Sequence, residues 1–179
     1  DGSESSSNLE KSLLQMSQLH YVGAFRLPRV GGGASRFGYG GWALALNADA
    51  SSIYVVGHDN DQLVAEVSIP TPLDHTTVGI AGLNTASFLQ NFADITEGMA
   101  ASLNSGNGFQ INGLAYLPAQ GSQNAGHLYW TARRYYNVNG VEDGRHGMSD
   151  LNFAAPNAQG LWHLTPNMRS AGYIMTIPE

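Results

Sequence analysis

The sequence predicts an all-β chain in which two similar sets of short antiparallel strands follow one another. Three observations carry that expectation. Glycine is abundant, at 22 of 179 residues, while only 12% of the chain is charged. A globular domain usually carries about a quarter, and helices need Glu, Lys and Arg for their exposed faces. The apolar residues fall in short runs, each bounded by Gly, Asn, Asp or Pro, which is how strands and turns alternate. The second half of the chain then repeats the order of the first. Hydrophobic residues make up 42%, enough to bury a core and to argue against disorder.

Taken in order, residues 1–18 are polar and Ser-rich and read as a flexible leader. His20–Leu27 is the first strand signal, closed by Pro28, and a glycine-rich loop runs from Gly31 to Gly41. Three strands follow at hairpin spacing: Trp42–Leu46, Ile53–Val56 and Leu63–Ile69. Connections this short make neighbours pair antiparallel. Over 84–103 the pattern changes. Phe88, Leu89, Phe92 and Ile95 fall at helical spacing, with Asn84 or Thr85 as a cap, and predict one short inserted helix.

The repeat is the strongest signal. Leu44-Ala45-Leu46 returns as Leu114-Ala115-Tyr116, an offset of 70, and Ile53-Tyr54-Val55 as Leu128-Tyr129-Trp130, an offset of 75. Val67-Ser68-Ile69-Pro70 returns as Met175-Thr176-Ile177-Pro178, an offset of 108, with Leu161–Leu164 as the third strand of the second set. Strand order persists while loops vary, as in stacked repeat architectures. The expected organisation is therefore two repeats, 20–72 and 107–179, joined by a partly helical insertion at 73–106. Over about residues 20–178 this pattern resembles β-propeller proteins, whose radial units are four-stranded meanders. It carries neither a WD dipeptide nor a kelch double-glycine signature in the expected context, so the resemblance stops at the architecture. It implies about two blades, and closed propellers have about four to eight. A fragment or cleaved piece is expected, with the remaining blades on another chain or supplied by self-association. The alternative is a β-sandwich of two similar hairpin sets.

Composition excludes several functions. The net charge is −6, and Lys11 is the only lysine, so the basic patch that a nucleic-acid binder needs is missing. No run approaches the ~18 apolar residues of a spanning helix. There is no cysteine, hence no disulfide or thiol chemistry. A first residue Asp1, little lysine and much Gly, Asn and Ser suggest a secreted, periplasmic or cell-surface protein. Neither a G-x-S-x-G nor a phosphate-cradling glycine loop is present.

In a radial array, the loops between second and third strands open on one rim. Here they are residues 57–62 and the stretch from Ala132 to about Gly160. The first holds His58, Asp59 and Asp61: a base and carboxylates that could take a divalent cation, or a locally bonded Asx-type turn. The spacing is not that of a calcium loop, so no metal ligand is assigned. The second holds Arg133-Arg134-Tyr135-Tyr136, in which alternate side chains share a face. Arginine binds carboxylates and tyrosine offers a stacking face and a phenol proton; the plain alternative is a strand end. Further on come Glu142, Asp143, Arg145, His146 and Asp150, a stretch that also reads as a solvated loop tip. The expectation is an extracellular carbohydrate-active or carbohydrate-binding protein, including a lyase or hydrolase of acidic glycans. His58, Arg134, Tyr136 and His146 would be its catalytic groups, and Asp59, Arg133, Tyr135 and Arg145 its binding groups. The alternative is a non-catalytic surface, adhesion or assembly module.

Overall fold

The computed structural model describes residues 14–29, 31–74, 76, 79–104, 106, 108–136, 145–163, 172 and 174. Two four-stranded antiparallel meanders make up the architecture. The first orders β1 (Leu44–Leu46), β2 (Ser52–Val56), β3 (Val64–Ser68) and β4 (Phe88–Ala93) side by side. The second orders β5 (Phe109–Leu117), β6 (His127–Arg134), β7 (Arg145–Ser149) and β8 (Gln159–Trp162) in the same way. Among the described residues the only helical pieces are short 3-10 turns at Met16–Gln18, Ile80–Gly82 and Ala100–Leu103.

The first two strands of each sheet share a register. Leu44 pairs with Val55 and Ala45 with Tyr54; their counterparts Leu114 and Ala115 pair with Trp130 and Tyr129. Four expectations are corrected. Residues 88–93 are a strand and not part of a helix: Phe88 and Phe92 stand four apart, a spacing that keeps them on one face in either period. The strand wins because both rings pack on Phe37, with centroids 5.8 and 4.8 Å away. The third strand of the second meander is β7, at 145–149; Leu161 and Trp162 belong to the fourth. β7 carries no apolar run because Trp130, opposite Gly147, lays its indole across it: a Cβ on Gly147 would come within 2.1 Å of the ring. Residues 20–27 form no named strand but only isolated bridges, Ala24 with Asp74 and Arg26 with Thr85. Trp42 lies in a bend ahead of β1. The expected strand at 175–178, the loop tip with Glu142 and Asp143, and most of the leader lie outside the described residues.

One core lies between the sheets. It gathers Ala43, Ala45, Tyr54, Val56 and Val64 from the first with Ile111, Leu114, Leu128, Trp130 and Ala132 from the second. β1 lies against β5, and the connector contributes Ile95, Ala100 and Leu103 to the same core. A smaller core on the far side of the first sheet packs Ile53, Val55 and Val67 against Phe25, Leu27 and Phe37.

Which face of each sheet meets the other follows from hydrogen-bond parity. In an antiparallel pair, facing residues alternately exchange hydrogen bonds and do not. Val56 N–H donates to Ala43 (3.1 Å) and Asn47 N–H to Ser52 (3.0 Å). Pairs 43–56, 45–54 and 47–52 are therefore bonded, and Ala43, Val56, Ala45 and Tyr54 face the shared core. In the second sheet Tyr135 N–H donates to Gly108 (3.1 Å), which makes 111–132 a non-bonded pair. Yet Ile111 and Ala132 face that same core. Chirality at Cα ties the side on which N–H and C=O project to the face the side chain occupies. The two meanders thus present opposite faces to one core, stacked front to back.

Candidate functional site

Front-to-back stacking leaves the β2–β3 loop and the far end of β6 at one end of the molecule, where side chains tie them together. His58 opens the loop and is buried; its Nδ1 accepts the Asn60 N–H at 3.1 Å. The next residue, Asp59, accepts from Gln62 Nε2 at 3.0 Å and from Gln110 Nε2 at 3.2 Å through Oδ1. Arg133 Nη2 donates to Gln110 Oε1 at 3.0 Å. A chain of contacts therefore runs from Asp59 on the first sheet, through Gln110 on β5, to Arg133 on β6. Gln62 adds a second tie: its Oε1 accepts the buried Ile111 N–H at 2.7 Å. Asp61 is bound separately, accepting from Ser35 Oγ at 2.7 Å.

Between these groups lies a cleft of about 300 Å³, lined by Asp59, Asn60, Gln62, Asn104, Gly108, Phe109 and Tyr135. Tyr135, 53% exposed, closes one side. The Asn104 side chain holds the connector in place, its Oδ1 accepting from Gly106 N–H (2.8 Å) and Gly108 N–H (3.0 Å). The lining combines aromatic faces, side-chain amides and one carboxylate.

Of the residues singled out in the sequence, the fold brings Asp59, Arg133 and Tyr135 to this end together, with His58 beneath the loop. Arg134 projects to the opposite side of β6, opposite Phe109, and its Nε is buried with no hydrogen-bond partner among the described residues. Tyr136 follows Tyr135 and is exposed. Arg145 and His146 were expected in a long loop. They lie instead on β7, opposite Ala132 and Thr131, and neither lines the cleft. Sequence reasoning missed Gln62, Asn104, Phe109 and Gln110. Amides carry no charge signature, so nothing in the sequence marked them; in the structure Gln62 closes its hairpin at a positive φ of 51°.

Among the described residues no three acidic or imidazole side chains converge as metal ligands would. No protein-family model, curated protein or solved structure matches the chain.

Proposed function

We propose that this chain is a glycan-binding module, two successive blades of a propeller-like array, that holds a neutral sugar where Asp59 and Tyr135 meet. The observation that carries the proposal is the lining of the cleft. Sugar rings present an apolar C–H face and a rim of hydroxyls, so a receptor needs an aromatic plane and groups that both donate and accept. Phe109 and Tyr135 supply the planes, and Asn60, Gln62, Asn104 and Asp59 the rim. Asp59 is the one charged residue of the lining, and Arg133 is already engaged by Gln110. That balance favours neutral glycans over uronates, which a carboxylate repels.

What supports the blade reading is the stacking. Two copies of one meander facing each other about a two-fold axis bring like faces together, whereas here unlike faces meet. Contacts of that kind continue into rings or open stacks, and the further units would come from other chain or from self-association. An extracellular setting is proposed with it, from a composition with one lysine and no cysteine. Glycan cleavage draws less support: His58 is buried with Nδ1 occupied, and His146 stands on β7, away from the cleft.

The test is affinity electrophoresis through gels containing soluble β-glucan, xylan or mannan, with alginate and polygalacturonate as the acidic arm. At least one neutral polysaccharide should retard the chain, and Tyr135→Ala should weaken that retention about tenfold, the scale of one lost stacking contact. Retention by none of the five, or retention indifferent to Tyr135→Ala, overturns the proposal.

A further inference from the structure

Tyr39 sits at the same end of the molecule, in a turn bridged to the β2–β3 loop through Gly40 and His58. The residue is 83% exposed, and its φ is +54°. That left-handed region suits Gly or Asn and is strained for a bulky side chain. The turn is nonetheless held firmly. Asp59 N–H donates to Tyr39 O at 3.0 Å, and Gly41 N–H donates to Val56 O at 2.9 Å. His58 N–H donates to Ser35 Oγ at 3.3 Å. A Cβ on Gly40 would fall 1.9 Å from the Gly57 carbonyl oxygen, so only glycine lets the two loops lie this close. The ring itself is steadied by His58, edge to face at 5.9 Å with an interplanar angle of 81°. An aromatic ring is therefore kept bare to solvent in a strained turn, where a glycine would satisfy the backbone without strain.

Strain of this kind collects where function requires it. Asp59 joins the two places: its backbone N–H holds the Tyr39 turn, and its carboxylate lines the cleft beside Tyr135. We infer that Tyr39 is a second sugar-stacking platform, and that the ligand is an extended oligosaccharide lying across Asp59 from Tyr135 to Tyr39. This rests on the glycan reading of the cleft. His58 becomes a positioning residue that fixes the plane of the Tyr39 ring, which gives that buried imidazole a use other than proton transfer.

The inference predicts opposite signs for stability and binding. Titration calorimetry with cello-, xylo- and manno-oligosaccharides, from the disaccharides upward, should show affinity rising with length in the wild type. Tyr39→Gly should remove most of that rise, about tenfold for the longer oligosaccharides, and leave the disaccharide unchanged. Its urea midpoint should stay level or increase, because glycine relieves the strain. Tyr39→Trp should keep the length dependence. If Tyr39→Gly binds long oligosaccharides as the wild type does, while Tyr135→Ala does not, the second platform is wrong and the cleft reading stands. If Tyr39→Gly lowers the urea midpoint, the residue serves the fold and the inference fails. If the wild type binds none of the series, both readings fall together.

Discussion

Tyr54 shows how a single side chain records its surroundings. Its phenol is buried in the shared core, on the same face of the sheet as its β3 partner Glu66. Burial, and secondarily the Glu66 carboxylate, push its pKa from 10.0 up to about 12. The unfolded chain releases this proton near pH 10 and the folded chain only near 12. Stability from this group is therefore complete below pH 10 and is lost as pH rises between the two values. Urea midpoints measured from pH 9 to 12 should fall in that window, and Tyr54→Phe should flatten the fall. At this scale the sequence was only partly legible. Asp59, Arg133 and Tyr135 stood out because charge and aromaticity advertise themselves. Gln62 and Gln110 did not, because an amide declares its role only through the partners it meets. His58 was legible in its bland form, as a locally bonded turn residue.

Among the elements, β6 and β7 depend on each other through one row. Leu114, Trp130, Gly147 and Gly160 lie side by side across four strands. The Trp130 indole lies over the two glycines, and its Nε1 donates to Ser149 Oγ at 3.0 Å. That hydroxyl in turn donates to Ile95 O on the connector at 2.5 Å. Gly147→Ala should destabilise the fold by about 1–3 kcal/mol or more, since an added methyl has only the ring to displace; urea unfolding would measure it. The same row explains why β7 was misread from the sequence. A strand whose centre must be glycine, with Arg145 and His146 before it, shows neither an apolar run nor alternation. β4 failed for a different reason, since aromatic residues four apart satisfy both periods. β2, β3 and β6 were legible because each packs β-branched or aromatic side chains on at least one covered face, and β1 because its short apolar run ends in a turn-forming Asn-Ala-Asp.

For the whole molecule the two antiparallel sheets were legible, and over their first two strands the offsets of 70 and 75 place corresponding residues opposite each other. Front-to-back stacking was not, since sequence periodicity says which residues alternate but not which face meets which sheet. The connector between β4 and β5 has a consequence of its own. In most two-part proteins the joining segment is the loosest stretch and the first to be nicked. Here Ile95, Thr96, Ala100 and Leu103 are buried, Asp94 accepts from Thr96 and Gly98 N–H groups, and Ser149 reaches Ile95. Brief digestion with proteinase K should cut the exposed 118–126 hairpin before it cuts 94–104, as mass spectrometry of the fragments would show. Over residues 94–104 the two halves of this chain are joined by part of their own interior, and there a protease should find no seam at which to divide them.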